Sequence, residues 1–283
     1  MLKTPTVTYY GWSALSIDTD AGSLFFDPFF RKYCNAKWFD KQDFSHAKYI
    51  CVTHGHEEHF LDVPVIAKEF GSTVVGPDAL VKFLAKRNKI AAEQLIGLNS
   101  GESRAVPGFT VSAFDWKHRD INLVKALSKA VFRGNTTQLA WAWSSATNAP
   151  FYSPYTGYHV ELPNGMTVLN YNEGFNSKMT DGEIAELGKR FQTDVLLAGM
   201  QLDFVDDVVR GAKALAPKVV VLYPPHEAFH AMMGVTSRPW SEFHDAVARA
   251  LPQATVVLAN PGDRIDMTSG RVTGNLLTLA NAA

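Results

Sequence analysis

The sequence predicts an α/β fold, and three observations carry the prediction. At 283 residues, of which 46% are apolar, the chain can bury one extensive core, and it contains no linker, repeat or low-complexity tract. Apolar runs of strand length alternate with amphipathic segments of helical length through the second half. A short run typical of an interior strand also precedes a histidine cluster near residue 54. Alternation by itself favours a doubly wound parallel sheet.

The first half contains four predicted strands and two predicted helices. The strands, rich in β-branched and aromatic residues, are at 7–18, 23–29, 49–53 and 109–116. The helices are at Val63–Phe70, where Gly71 provides the stop, and at 78–86. Asp-Ala-Gly at 20–22 is a turn sequence, so the first two strands are expected to pair.

Predicted strands and helices alternate more clearly in the second half of the chain. Strands are predicted around Tyr158 and at 166–171, 194–197, 218–223 and 255–259. Helices are predicted between the later strands, at 182–191, 205–216 and 241–251.

A polar cluster follows the predicted strand at 49–53, in the stretch His-Gly-His-Glu-Glu-His at 54–59. His54 and His56 lie two apart on the loop leaving that strand, where such side chains converge on one ion. Glu58 and His59 would then face a second ion. Imidazole nitrogens combined with carboxylate oxygens suit zinc, iron or manganese. The sequence therefore predicts a two-metal site, and the alternative is a polar turn whose histidines only form hydrogen bonds.

The pattern His-x-His-x-Glu-His resembles the His-x-His-x-Asp-His motif of the metallo-beta-lactamase superfamily. Upstream, Tyr-Gly-Trp-Ser at 10–13 and Leu-Phe-Phe-Asp-Pro-Phe at 24–29 are similar to the opening hairpin of one branch. That branch contains L-ascorbate-6-phosphate lactonase and N-acylphosphatidylethanolamine phospholipase D. The resemblance replaces the doubly wound sheet with a four-layer αββα sandwich, a single domain over residues 1–283 with metals at one edge between two sheets.

The resemblance also implies a ligand set. The first metal would be held by His54, His56 and His118, the second by Glu58, His59 and His226, with Glu173 as the bridge. Glu58 and Glu173 stand where the family usually has aspartate, so the metal identity stays open. The assignment of Glu173 is open as well, because a shift of one residue would place Asn172 or Gly174 there.

The implied cofactor is a pair of divalent transition-metal ions, zinc first, with manganese or iron as alternatives. A water shared by the ions would ionise near pH 7 and provide the nucleophile. Glu58, Glu173 and His226 are the residues assigned to catalysis. With a net site charge of about +1, an anionic or strongly polarised substrate group is favoured.

The expected function is hydrolysis of a lactone, phosphodiester or related ester. A di-iron oxidoreductase on the same fold is the alternative, because carboxylate-richer sites of this type can hold iron. A binding protein without turnover is a third possibility, and seven candidate ligands argue against it. Asp27 and Asp115 are candidates for orienting the ligand histidines.

The composition argues against nucleic acid as a partner, so a small-molecule substrate is expected. With 27 basic and 28 acidic residues, the net charge of −1 argues against a surface for nucleic acid. No apolar run of about 18 residues is long enough to span a bilayer. Residues 1–11 lack the pattern of a secretory signal, and Cys34 and Cys51 are not in C-x-x-C spacing. The cytoplasm is the expected location.

Residues 119–157 are predicted as a lid insertion, because a structureless connection of that length is unusual. A basic amphipathic helix is predicted at 121–132, and aromatic residues follow it: Trp141, Trp143, Phe151, Tyr152 and Tyr155. Such a segment would cap an anionic substrate or touch a membrane surface. The pattern favours the alternative, in which the helix at 121–132 is an ordinary surface helix over a core cluster.

Two further histidines are weighed as ligands. His230, one helical turn after His226, is a candidate to supplement the second metal or to bind substrate. His159 lies in a predicted strand and is expected to be structural.

Overall fold

The computed structural model describes residues 4–34, 36–119 and 136–280, and it contains two β-sheets. The strands of the first sheet are β1 (Thr6–Tyr9), β2 (Leu15–Thr19), β3 (Gly22–Phe26), β4 (Ala47–Cys51), β5 (Thr73–Gly76), β6 (Leu95–Gly97), β14 (Asp263–Asp266) and β15 (Val272–Asn275). Those of the second sheet are β7 (Ser103–Val106), β8 (Phe109–Asp115), β9 (Thr156–Glu161), β10 (Thr167–Asn172), β11 (Val195–Gly199), β12 (Val219–Tyr223) and β13 (Thr255–Leu258).

The helices are numbered along the same described residues. They are α1 (Glu57–Phe60), α2 (Val63–Phe70), α3 (Asp78–Phe83), α4 (Thr136–Asn148), α5 (Asp181–Arg190), α6 (Val205–Leu215), α7 (Glu227–Met233), α8 (Trp240–Ala250) and α9 (Leu276–Ala280). Within this part of the chain, no helix has the length and hydropathy needed to cross a bilayer.

The sheets differ in strand direction. The order in the first is β15-β14-β1-β2-β3-β4-β5-β6, antiparallel from β15 to β3 and parallel from β3 to β6. The order in the second is β13-β12-β11-β10-β9-β8-β7, parallel from β13 to β10 and antiparallel beyond. Each sheet therefore combines a parallel half, whose crossovers carry helices, with an antiparallel half built from hairpins.

Three apolar clusters show that the sandwich has four layers. Side chains from both sheets, such as Ile17, Phe26, Val111 and Leu197, share one cluster between the sheets. A second cluster joins the outer face of the first sheet to α2 and α3. A third joins the outer face of the second sheet to α5, α6 and α8. The predicted αββα arrangement is confirmed, and the doubly wound sheet suggested by alternation alone is wrong.

One predicted strand is divided in two. The segment predicted at 7–18 is interrupted because Gly11 and Trp12 have φ angles of 86° and 51°, in the left-handed region. The chain reverses there, so β1 and β2 pair with each other, with Val7 opposite Ile17. The helix predicted at 78–86 is α-helical to Phe83 and continues as a π-turn.

The lid at residues 119–157 stays a prediction. The helix predicted at 121–132 lies outside the described residues, so it stays a prediction. After it, α4 contacts α1, and Trp143, Phe151 and Tyr152 are exposed. Tyr155 differs from them, because its ring lies 4.8 Å from that of His118.

Gly55, in the loop that precedes α1, lies against the backbone of the segment after α4. A Cβ at residue 55 would overlap the carbonyl oxygen of Pro150, and a backbone atom cannot rotate away. Gly55→Ala is expected to lower the free energy of unfolding by about 1–3 kcal/mol, as overpacking does. Denaturant unfolding measures the change. The control is Gly182→Ala, where a Cβ meets nothing within 4 Å, and an equal loss there would contradict the packing argument.

Candidate metal centre

The ends of four strands bring the seven predicted ligands together at one edge of the sandwich. His54 and His56 follow β4, His118 follows β8, Glu173 follows β10, and His226 follows β12 after two prolines. Glu58 and His59 lie on α1, directly after the loop that carries the first two histidines. The structure groups their ligand atoms in two sets: one of His54, His56, His118 and Glu173, and one of Glu58, His59 and His226.

The first set is compact. The Nε2 atom of His54 lies 2.9 Å from Nδ1 of His56. The ring of His56 lies 4.8 Å from that of His118. All ligand atoms of the set lie within 4.8 Å of one another, which is the scale on which three imidazoles surround one ion.

Glu173 lies between the two sets. Its Oε1 is 3.4 Å from Nε2 of His54 and 3.3 Å from Nε2 of His118. Its Oε2 is 2.7 Å from Nε2 of His226, a member of the second set. One carboxylate therefore reaches both sets of nitrogens, as a bridging ligand has to do.

A β-bulge aims Glu173 into this position. The register of β10 against β11 shifts between Asn170 and Asn172, and Asn172 has a φ of 52°. The extra residue turns the following carboxylate inward. Of the three successive residues, Glu173 is therefore the one beside the histidines, because the Asn172 amide points elsewhere and Gly174 packs against the Tyr171 ring.

Asp27, buried after β3, organises the histidines from behind. Its Oδ2 accepts a hydrogen bond from Nδ1 of His59 at 2.8 Å and from the hydroxyl of Thr53 at 2.6 Å. Nδ2 of Asn172 donates to the same oxygen at 3.0 Å. Oδ1 accepts from the backbone N–H of Thr53 at 2.8 Å. A carboxylate that holds a histidine in this way fixes the tautomer and the ring orientation for metal binding.

The hydrogen bonds assign the free nitrogen of three histidines. Since Nδ1 of His59 donates to Asp27, its Nε2 faces the site with no partner. Nδ1 of His118 donates to the carbonyl of Arg119 at 2.7 Å, which leaves its Nε2 free as well. The hydroxyl of Thr53 donates to Asp27, so it accepts from Nδ1 of His54 at 3.0 Å. In each of these three residues, Nε2 is therefore the ring nitrogen that faces the site.

Burial and charge set the ionisation of the site. Burial lowers the pKa of His54 well below its usual value and that of His56 to about 4. Burial alone would lower the pKa of His59, but Asp27 outweighs it and raises the pKa to about 9. Burial opposes ionisation of Glu173, yet His226 and His118 hold its pKa well below the usual range. Neutral imidazoles and an ionised carboxylate are the forms that bind metals, and His59 has to release a proton to join them.

The donor set fits a pair of divalent transition-metal ions. Several buried polar atoms of the site have no hydrogen-bond partner: Oε2 of Glu58, Nε2 of His59, Oε1 of Glu173 and Nδ1 of His226. Buried donors and acceptors are normally satisfied, so such a concentration calls for a ligand. Imidazole nitrogens with two carboxylates are ligands for zinc, manganese or iron.

The two aspartates proposed to orient the ligands have different positions in the structure. The two further histidines also differ from each other. Asp27 contacts the site, whereas Asp115 is exposed on β8 and, in the described part of the chain, makes no hydrogen bond to a ligand histidine. His159 is structural as predicted, since it bonds to the carbonyl of Gln192 and stacks on Phe191. The ring of His230 lies 5.9 Å from that of His226, outside both ligand sets.

Sequence reasoning missed several residues around the site. Thr53 and Asn172 complete the Asp27 network, and Trp116 and Tyr155 form an aromatic wall over His54. Arg119, next to His118, contacts Nε2 of His230 at 3.3 Å. Only Thr53 carried a signal in the sequence, as the last residue of the strand before the histidine motif.

Asp27→Asn is expected to weaken metal binding by about 10-fold to 100-fold, the usual cost of losing an orienting partner. An amide cannot accept from His59 and Thr53 as a carboxylate does, and it cannot hold the charge that stabilises the bound site. Competition with a chelator measures the affinity. Asp115→Asn is the matched control, and an equal loss in both variants would contradict the role of Asp27.

Comparison with solved structures places this arrangement in a known fold. The metallo hydrolase Igni18 from Ignicoccus hospitalis is 19% identical, with a TM-score of 0.67 over 93% of this chain and 98% of that chain. The metallo-beta-lactamase fold protein YhfI from Bacillus subtilis is 12% identical, with a TM-score of 0.58 over 93% and 99%. CmlA, a diiron beta-hydroxylase from Streptomyces venezuelae, is 13% identical, with a TM-score of 0.61 over 93% of this chain and 53% of that chain. At these identities the likeness shows the fold alone.

No protein-family profile matches the chain. The family assignment rests on similarity to curated relatives. A UPF0173 metal-dependent hydrolase of Brucella ovis is 30% identical over 189 residues, which are 65% of this chain and 73% of the relative. A second, from Brucella abortus strain S19, is 30% identical over 120 residues, about half (49%) of that relative. On the first of these matches, the chain belongs to the UPF0173 family of metal-dependent hydrolases and has the metallo-beta-lactamase fold.

Proposed function

We propose that this metal-dependent hydrolase cleaves a lactone, a phosphodiester or a related ester with two divalent ions, zinc first among them. The observation that carries the proposal is the position of Glu173. One of its oxygens lies among the histidines of the first set, and the other lies 2.7 Å from Nε2 of His226 in the second. The substrate class follows the resemblance of residues 10–13 and 24–29 to the branch of L-ascorbate-6-phosphate lactonase and N-acylphosphatidylethanolamine phospholipase D.

The seven side chains have distinct tasks in this proposal. His54, His56 and His118 hold one ion, Glu58, His59 and His226 the other, and Glu173 spans both. Bound there, two divalent ions would act as Lewis acids and lower the pKa of a coordinated water towards 7.

The surrounding residues hold that arrangement and exclude water from it. Asp27 keeps the ring of His59 in place through Nδ1, and the Arg119 carbonyl does the same for His118. The rings of Trp116 and Tyr155 cover His54 at 5.6 Å and 5.2 Å between centroids, which keeps bulk water away from one side of the site. Where water is excluded, the local dielectric is low and electrostatic interactions are stronger.

The partners and the location belong to the same proposal. We expect a small molecule rather than nucleic acid, because the chain has a net charge of −1. Both cysteines are buried and free, which is consistent with a reducing cytoplasm.

A di-iron oxidoreductase is the second candidate. Glu58 and Glu173 make the ligand set richer in carboxylate than the usual family pattern, and iron favours such sets. CmlA shares the fold, so the fold does not decide between the two reactions.

Activity with and without oxygen tests the proposal. Protein reconstituted with zinc, manganese or iron is assayed against lactones, phosphodiesters and simple esters, in air and under anaerobic conditions. The hydrolase is expected to turn over at least one class on zinc or manganese, and at the same rate without oxygen. Activity that requires iron, dioxygen and a reductant would establish the alternative instead.

A further inference from the structure

Arg119 is a cation beside the candidate metal centre, and no carboxylate among the described residues forms an ion pair with it. The residue directly follows His118, and its side chain reaches His230 on α7. Its Nε is buried and has no hydrogen-bond partner. Among the described residues, no carboxylate lies within ion-pair distance of the guanidinium, whose hydrogen bond is to a histidine nitrogen.

A chain of two hydrogen bonds holds this guanidinium in place. An arginine only donates, so Nε2 of His230 accepts from Nη2 of Arg119 at 3.3 Å. The other ring nitrogen, Nδ1, then carries the proton and donates to the hydroxyl of Ser237 at 3.1 Å. His230 is itself buried, 3% exposed, so its ring has little freedom to move. Within the described part of the chain, these contacts use one guanidinium N–H, and the Nε–H remains available to a ligand.

The charge balance around Arg119 changes when metals bind. Burying a guanidinium is costly unless an anion compensates it. The charges of Glu173 and Glu58 reach Arg119 when the site holds no ions. Once both carboxylates ligate divalent ions, the local charge is set by the ions and the compensation is lost. An anionic group of the substrate would restore that compensation.

We infer that Arg119 binds an oxyanion of the substrate, a phosphate or carboxylate group outside the reacting bond, and that His230 and Ser237 position its guanidinium. The Nε–H and an Nη–H of one guanidinium form a planar fork that matches two oxygens of either group. The inference rests on the proposed function in one respect, namely that this oxyanion belongs to the substrate hydrolysed next to it.

Equilibrium binding of small anions tests the inference without turnover. Inorganic phosphate and acetate are titrated by calorimetry into zinc-reconstituted protein, and the metal content of every sample is measured. At equal metal content, Arg119→Met is expected to weaken the stronger-binding anion by about 10-fold to 100-fold, the range for a charge-assisted pair of hydrogen bonds. Preference for phosphate or for acetate identifies which group the substrate carries.

Two further variants keep the test decisive. Arg119→Lys retains the charge but loses the planar fork, so it is expected to bind the anion less tightly than the wild type does. This variant replaces Arg119→Met in the test if Arg119→Met does not fold. Arg104→Met, at an exposed arginine on β7, is the matched control and is expected to bind both anions as the wild type does. Wild-type affinity in both Arg119 variants would overturn the inference, and so would a wild-type protein that binds neither anion.

His230 acts through Arg119, so its test uses rescue. Glutamine retains a side-chain acceptor for Nη2, whereas leucine does not. His230→Gln is expected to keep most of the anion affinity, and His230→Leu is expected to lose it with metal content unchanged. Equal affinities in these two variants would contradict the positioning role.

The outcomes separate this inference from the proposed function. Anion binding that depends on Arg119 in a protein that hydrolyses no ester would defeat the proposed substrate class alone. Ester turnover by a protein whose anion binding is indifferent to Arg119 would defeat the inference alone.

Discussion

Glu173→Gln is expected to lower kcat/KM by about two to three orders of magnitude and to release one of the two proposed metal ions. The carboxylate contacts nitrogens of both ligand sets, at 3.3 Å from His118 and 2.7 Å from His226. A neutral amide has the same shape but cannot bridge two cations. Steady-state kinetics and elemental analysis of the same samples measure the two effects.

The control for this variant is Glu161→Gln, at an exposed carboxylate on β9. It is expected to keep the wild-type rate and metal content. Glu173→Gln would speak against the bridge if it retained two ions and lost activity only slightly. Loss of both ions together with the fold would be visible in the circular dichroism spectrum.

His118→Ala and His226→Ala are each expected to abolish turnover, a loss of about three orders of magnitude or more, while the fold is kept. Each residue follows a buried strand whose packing in the second sheet is independent of the ligand side chain. The two variants differ in the ion that they lose, because His118 belongs to the first set and His226 to the second.

His244→Ala is the matched control for the two histidine variants. His244 is partly exposed on α8, where it contacts Asp245, and its loss is expected to change neither rate nor metal content. Near-native activity and metal content in either ligand variant would show that the assignment fails at that position.

Four of the candidate ligands have a local signal in the sequence. His54, His56, Glu58 and His59 fall within six residues after a strand, and α1 begins directly behind them. The distant candidates His118 and His226 also follow strand ends, and the resemblance along the chain predicts them. The structure brings their side chains beside the other candidates.

The position of Glu173 depended on a feature that the sequence does not display. Only the bulge between Asn170 and Asn172 decides which of three successive residues faces the histidines. The turn at Gly11 and Trp12 escaped prediction for the same reason, since a left-handed Trp is sterically disfavoured and tertiary packing maintains it. Ring contacts of Trp12 with Phe29 and Tyr33 supply that packing.

The sequence named Asp27 and Asp115 as candidate orienting residues, but it could not predict the contacts of the supporting residues, because their partners are far apart in the chain. Asp27 bonds to Thr53, 26 residues away, and Asn172 bonds to Asp27 across 145 residues. Arg119 and His230 are 111 residues apart. The division into two sheets was equally nonlocal, because alternating strands and helices fit a single sheet as well as two.

The number of metal ions bound per chain tests the central claim most directly. Protein purified without chelator, or reconstituted with zinc or manganese and then desalted, is measured by elemental analysis against protein concentration. Three terminal ligands for each ion and one shared carboxylate predict close to two transition-metal ions per chain. Only trace metal after purification, together with no uptake on reconstitution, would contradict the account.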